Sequence, residues 1–101
     1  MPRSYGDKFL IELAQTKKET IGIDLARLCV KANIPAVYVA SAMGVTKLAV
    51  YAWFRGGVIR EKRLPQLQSF IAKIKADLES GALPLPTLKR TKEYVQKLVQ
   101  I

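Results

Sequence analysis

The side chains that could carry chemistry in this chain are mainly cationic. Seventeen Lys and Arg outweigh eight Asp and Glu, which gives a formal net charge of +9. Residues 25–76 hold most of this excess, because nine cations there are opposed by a single carboxylate, Glu61, for a local charge of +8. Clustered cations neutralise phosphates and release their counterions, which favours nucleic acid as a partner. A solvated face that only keeps the chain in solution is the alternative interpretation.

Residues that commonly perform catalysis or hold metals are scarce. The chain has no His and a single Cys, Cys29, so the usual zinc ligands and the commonest general base are missing. The acidic residues are scattered, and no glycine-rich phosphate loop is present. We therefore expect no enzyme and no bound cofactor or metal. Cys29 follows the apolar pattern of a helix and is interpreted as a buried small hydrophobic residue, with a reactive thiol as the alternative.

Length and composition predict one small domain. The chain has 101 residues, half of them hydrophobic, which is enough to bury one modest core. No apolar run approaches the roughly 20 residues that a membrane span needs, and the N-terminus lacks the apolar segment of a signal peptide. We therefore expect a cytoplasmic protein without a membrane partner.

The central stretch, residues 35–56, reads PAVYVASAMGVTKLAVYAWFRG and predicts two short helices joined by a sharp turn. The helices are expected over residues 35–43 and 46–54. Gly44 can adopt the left-handed conformation that ends a helix, and Thr46 is a good N-cap for the next one. The residues predicted to face inward are Val39, Ala40, Met43, Val50 and Trp53. This spacing, with Val45 filling the turn, is typical of a helix-turn-helix.

The same stretch resembles a known family. VASAMGVTKLAVYAWFRGG, residues 39–57, is similar to the Cro/repressor (XRE-like) helix-turn-helix family of bacteria and their phages. The matching positions are Val39-Ala40, Gly44-Val45-Thr46, Val50, Trp53 and Arg55-Gly56. The resemblance covers about residues 21–78 and is tight only in the middle. One departure is that many relatives begin the first helix of the motif with a glutamine that braces a DNA phosphate, where this chain has Ala36 and Val37.

The resemblance implies that the second helix of the motif enters the major groove of double-stranded DNA. The matching outward positions are Thr46, Lys47, Leu48, Tyr51, Ala52 and Arg55. In the loop that follows, Arg60, Lys62 and Arg63 would contact the DNA backbone. The missing glutamine contact would come from another residue, for example Lys31 or Tyr38.

The flanking segments complete the predicted organisation. Residues 1–20 form an extension with a short helix over 7–15, which either packs on the core or reaches DNA through Arg3, Lys8, Lys17 and Lys18. Residues 21–81 form the DNA-binding domain, with further helices over 21–33 and 64–80. Residues 82–101 form a proline-containing spacer and a last helix with an apolar stripe of Leu88, Val95 and Leu98, joined by Tyr94 and Val99. That helix docks on its own domain, pairs with a second copy, or binds another protein; a homodimer through residues 87–101 is favoured.

The predicted fold class is therefore all-α: a compact four- to five-helix domain with a central helix-turn-helix, plus a C-terminal helix after a Pro-rich spacer. The resemblance implies a sequence-specific transcriptional regulator, similar to phage or bacterial repressors. One alternative is a phage DNA-handling accessory protein that acts in packaging or recombination. Another is a protein-interaction module that uses the same surface to bind a partner such as RNA polymerase, because Leu48, Tyr51 and Ala52 are poor in hydrogen-bonding groups.

Overall fold

The computed structural model describes residues 5–17 and 19–98. In this part of the chain there are helices and no strands, so the predicted all-α class is confirmed. The helices are α1 (Asp7–Gln15), α2 (Ile21–Ala32), α3 (Ala36–Met43), α4 (Lys47–Phe54), α5 (Leu64–Glu79) and α6 (Leu88–Leu98), with a 3₁₀ turn at Glu61–Arg63 before α5. Three residues that entered the predictions, Arg3, Lys18 and Val99, lie outside the described residues.

The helix ends lie close to the predicted positions. Gly44 and Thr46 cap α3 and α4 as expected, whereas the caps of α2, Thr20 and Asn33, were not predicted. The hydroxyl oxygens of Thr20 and Thr46 each accept a backbone N–H three residues later, at 3.1 Å, and so begin α2 and α4. Asn33 and Gly44 adopt left-handed backbone conformations (φ 54° and 69°) and end α2 and α3. Pro35 was expected to be the first helical residue, but it is extended (ψ 142°), so α3 begins one residue later.

The core is built around α2, which packs against both α4 and α5. Its fully buried residues are Ile23, Leu25, Ala26, Cys29 and Ala32. Gly22 lies close to the backbone of α4, since a Cβ placed there would lie 2.2 Å from the carbonyl oxygen of Trp53. Ala40, predicted to face inward, is buried.

The segment before α2 packs on the core beside α4. Tyr5 is buried, and its hydroxyl donates a hydrogen bond to the carbonyl oxygen of Ile34 at 2.5 Å. Its ring stacks on Phe9 with 5.3 Å between centroids. Leu13, further along α1, is also buried, whereas Lys8 and Lys17 are exposed. The described N-terminal residues therefore cover part of the apolar core.

The last helix docks on the same chain. Thr91 and Val95 of α6 are fully buried, and α6 packs against α3. The Tyr94 hydroxyl donates to the Asp77 carboxylate on α5. Within the connection to α6, Leu83 is buried and its N–H donates to the Asp77 carbonyl at 3.1 Å, and the Leu83–Pro84 peptide is cis. The proline-containing segment thus joins α6 to α5 and the core. Among the described residues of the stripe, Val95 is buried, and Tyr94 and Leu98 pack against the core of the same chain.

The helices enclose a body of about 32 × 29 × 24 Å, with a Cα radius of gyration of 12.6 Å. In the described part of the chain no single helix has the length and apolar character needed to cross a membrane. Helices α3 and α4 meet that requirement only when taken together, and they are bent by 115° at the turn between them.

Candidate nucleic-acid interface

The corner between α3 and α4 is set by a few backbone hydrogen bonds. The N–H of Val45 donates to the Ala40 carbonyl at 3.0 Å, and the N–H of Gly44 donates to the Ser41 carbonyl at 3.4 Å. Gly44 takes the left-handed conformation that this closure requires, without a Cβ to oppose it. Val45 is half-buried beneath the turn. Three residues therefore suffice to turn the chain by 115° between the two helices.

Helix α4 divides into a buried and an exposed side. Val50, Trp53 and Phe54 are buried; Val50 and Trp53 were expected there, whereas the burial of Phe54 was not predicted. The exposed residues at or next to the helix are Thr46, Lys47, Leu48, Ala52 and Arg55. Leu48 is 81% exposed. Of the predicted outward positions, all but Tyr51 are therefore exposed.

Tyr51 differs from the other predicted contact residues because it is half-buried against the N-terminal segment. Its ring makes edge-on contacts with Phe9 and Phe54, with centroid distances of 5.7 and 5.8 Å. The Lys47 ammonium lies 5.9 Å from the centroid of the Tyr51 ring, within the range of a cation–π contact. These contacts hold the Tyr51 ring in place and link the position of α4 to α1.

Arg63 connects the loop after α4 to the end of α3. Its guanidinium Nη1 donates to the carbonyl oxygen of Met43 at 3.2 Å. Carbonyls in the last turn of a helix lack intrahelical partners, so this bond stabilises the C-terminus of α3. Arg63, predicted as a phosphate contact, is half-buried and has this structural bond, whereas Arg60 and Lys62 are exposed.

A shallow groove of about 370 Å³ separates the start of α4 from the loop. It is lined by Val45, Thr46, Ala49, Trp53, Val58, Arg60 and Arg63. Val58 is 95% exposed and was not among the predicted contact residues. Its position directly after two glycines, Gly56 and Gly57, was the available signal that this side chain stands on a turn rather than in the core.

The exposed cations of this region have no carboxylate partner among the residues that the structure describes. Within residues 5–17 and 19–98, the ion pairs are Arg27 with Glu19 and Asp24, and Lys73 with Asp77. None of them involves the predicted contact residues Lys47, Arg55, Arg60 or Lys62. Their charge is therefore not neutralised inside the described chain and is directed to solvent, where it can attract an anion.

The two residues proposed to replace the missing glutamine lie elsewhere. Lys31 lines a separate groove of about 200 Å³ between α2 and α5, together with Asp24, Arg27, Leu28, Ile71 and Lys75. No residue is shared between this groove and the one beside α4. Tyr38, on α3, is half-buried against the core. The two residues are therefore in different surroundings from the exposed face of α4.

Cys29 is fully buried. Burial disfavours the thiolate and raises the pKa of the Cys29 thiol to about 12, while the nearby Tyr5 hydroxyl opposes this by hydrogen bonding. At neutral pH the thiol therefore keeps its proton and behaves as a small apolar side chain, as the sequence pattern indicated.

Known proteins provide no further evidence on the function of this surface. No protein-family model, no curated protein and no solved structure matches the chain.

Proposed function

We propose that the chain is a sequence-specific DNA-binding regulator of transcription, in which α3 and α4 form a helix-turn-helix and α4 lies in the major groove. The 115° bend between the two helices falls within the range of about 90–120° that such motifs have. The major groove of B-DNA admits an α-helix, which must present an exposed side to the bases. On α4 and at its ends the exposed residues are Thr46, Lys47, Leu48, Ala52 and Arg55, while Tyr51 is half-buried against the N-terminal segment.

The observation that carries the proposal is the arrangement of charge around that side. Lys47 lies at the start of α4 and Arg55 follows its end, and Arg60 and Lys62 are exposed in the loop beyond. All four lack a carboxylate partner among the described residues. A helix flanked by unpaired cations suits a groove edged by phosphates, because backbone contacts fix the register in which the helix reads the bases. The similarity of residues 39–57 to Cro/repressor proteins supports the same proposal.

Equilibrium binding of labelled duplexes tests the proposal through Lys47→Ala, with Lys75→Ala as the matched control. Lys75 is also an exposed helical lysine, but it lies on α5 and outside the proposed site. If Lys47 contacts a base, its loss should reduce the preference for one duplex over another by about 10-fold, corresponding to roughly 1.4 kcal/mol. Lys75→Ala should leave that preference unchanged. Equal effects of the two substitutions would contradict the assignment of α4 as the reading helix.

A DNA-handling accessory protein of a phage remains the second candidate within the same class. The shortage of hydrogen-bonding side chains on α4 favours it, because Leu48 and Ala52 offer only apolar contacts to bases. Such a protein would bind different duplexes with similar affinity, and Lys47→Ala would weaken all of them alike. The duplex comparison therefore separates the regulator from the accessory protein.

A protein-binding module is the candidate from another class, with RNA polymerase as an example of the partner. Leu48 and Val58 are 81% and 95% exposed, and a protein partner bound at this surface would remove both apolar side chains from water. Leu48→Ser discriminates between the two classes of partner. It should reduce duplex binding if the helix lies in the groove, and leave duplex binding unchanged if Leu48 serves a protein partner.

Self-association through residues 87–101 is part of the proposal, because regulators of this kind commonly bind two half-sites as dimers. Since the buried side of α6 contacts its own domain, a dimer would have to use the exposed side of the helix or exchange α6 between copies. Sedimentation equilibrium of the full chain, with and without DNA, measures the oligomeric state. A monomer under both conditions would contradict this part of the proposal.

A further inference from the structure

Helix α6 carries a basic face that the predicted DNA site does not include. Its exposed cations are Lys89, Arg90, Lys92 and Lys97. They are opposed by one carboxylate on the helix, Glu93, for a net charge of +3. None of the four cations is ion-paired within residues 5–17 and 19–98. The face is therefore a second site of unneutralised positive charge.

The direction of this face is fixed by the packing of the opposite side. Thr91 and Val95 are fully buried, and the Tyr94 hydroxyl donates to Asp77 on α5. At the start of the helix, the Thr87 hydroxyl oxygen accepts the N–H of Arg90 at 3.2 Å. The Thr91 hydroxyl donates to the Thr87 carbonyl at 2.9 Å. The helix cannot rotate about its axis without exposing buried residues, so the cations remain on the outside.

The element against which α6 packs is the one that lacks charge. Helix α3 reads AVYVASAM and contains no ionisable group other than the phenol of Tyr38. Its exposed residues include Val37 and Ser41, neither of which carries a charge. In a helix-turn-helix bound to DNA, the first helix lies across the phosphate backbone. On α3 itself, therefore, no cation is available to neutralise those phosphates.

We propose that α6 supplies the phosphate contacts that α3 lacks, with Lys89, Arg90 and Lys92 binding the DNA backbone beside the groove occupied by α4. This inference rests on the proposed function and extends the DNA-binding surface to the C-terminal helix. The ligand is the phosphodiester backbone, so these contacts add affinity without reading sequence. The last helix then has a role within each copy of the protein. Because its exposed side is assigned to DNA, a dimer through this helix would have to exchange α6 between copies.

The test is the salt dependence of duplex binding by full-length protein, measured between 0.05 and 0.25 M salt by fluorescence anisotropy with a labelled duplex of about 30 base pairs. The variant is Lys89→Ala/Arg90→Ala/Lys92→Ala. Alanine favours helix, which preserves α6. The control, Arg27→Ala/Lys73→Ala/Lys75→Ala, removes the same charge from α2 and α5, at positions that no prediction places against DNA. We expect the α6 variant to reduce the slope of log K against log salt by about 2–3 and to weaken all duplexes alike.

The possible results separate this inference from the proposed function. If wild-type protein binds duplexes and the α6 variant keeps the wild-type slope, the inference is wrong while the proposed function stands. An equal loss in the control variant also overturns it, because net charge alone would then explain the effect. If wild-type protein binds no duplex, both proposals fail. Should circular dichroism show that the alanine variant has lost helix, Lys89→Gln/Arg90→Gln/Lys92→Gln repeats the test with longer side chains.

Discussion

The guanidinium of Arg63 donates a hydrogen bond to the carbonyl oxygen of Met43, at 3.2 Å, and so joins the 3₁₀ turn before α5 to the last turn of α3. Met43 directly precedes the turn between α3 and α4, at which the chain bends by 115°. Arg63, Arg60 and Lys62 were predicted as equivalent phosphate contacts. In the structure they differ, because Arg63 is half-buried and bonded to the end of α3, whereas Arg60 and Lys62 are exposed.

Substitution should reveal this difference in the free energies of unfolding of two variants. Arg63→Ala is expected to lower the free energy of unfolding by about 1–2 kcal/mol, since a carbonyl would lose a charged donor at a half-buried site. Arg60→Ala removes the same charge from an exposed position and should change stability by less than about 0.5 kcal/mol. Urea unfolding measures both values. Equal losses of stability would show that the Arg63 bond contributes nothing.

Gly22 should be intolerant of any side chain. A Cβ at this position would lie 2.2 Å from the Trp53 carbonyl oxygen, so α2 and α4 must separate to accommodate alanine. Overpacking of this kind costs about 1–3 kcal/mol, and here it acts against a rigid backbone rather than a side chain that can move. Gly6→Ala is the matched control, because its Cβ would meet nothing within 4 Å. Thermal unfolding of the two variants compares them, and similar melting temperatures would contradict the close helix contact.

The aromatic contacts of α1 should stabilise the position of α4. Phe9 touches both Tyr51 and Phe54, with ring centroids 5.7 and 6.1 Å away. Phe9→Ala is expected to cost about 2 kcal/mol, less than for a fully buried ring because Phe9 is only half-buried. Ile11→Ala, at a site 57% exposed on the same helix, should cost little. The account would be wrong if Phe9→Ala unfolded at the same urea concentration as Ile11→Ala.

Burial of Cys29 predicts both low reactivity and an alkaline loss of stability. The folded thiol has its pKa raised from 9.0 to about 12, so above pH 9 the unfolded chain releases a proton that the folded chain retains. Stability should therefore decrease as the pH rises from about 9 to 12. Cys29→Ala should reduce that decrease. Burial also raises the pKa of Tyr5, which adds a loss of the same sign above about pH 10.

A thiol reagent provides the direct check of Cys29. Labelling with a disulfide reagent at pH 8 should be slow in the folded protein and fast after denaturation, because attack requires an accessible thiolate. Rapid labelling of the folded protein would indicate an accessible, reactive thiol instead.

The helices were predictable because their signals are local. Thr46 and Gly44 define the ends of α4 and α3 by their own conformational preferences, and the spacing of Val50 and Trp53 sets the inward side of α4. The exposure of Lys47 and Arg55 follows from the same periodicity. These parts of the candidate site needed no information about distant segments.

The remaining features depend on contacts between segments far apart in sequence. Tyr51 was expected to face outward, and its partial burial results from Phe9, 42 positions earlier in the chain. The bond from Tyr5 to the Ile34 carbonyl and the approach of Gly22 to Trp53 have the same origin. No periodic pattern within one helix reports such contacts, so they require the three-dimensional structure.

Selection from a random double-stranded DNA pool, at about 0.15 M salt, tests the central claim most directly. If α4 reads bases, sequencing of the retained fragments should give one enriched motif that is lost with Lys47→Ala and kept with Lys75→Ala. In a dimer the motif would be an inverted repeat with half-sites about one helical turn apart. Retention of fragments without any motif, or no retention at all, would contradict the claim that this protein recognises a DNA sequence.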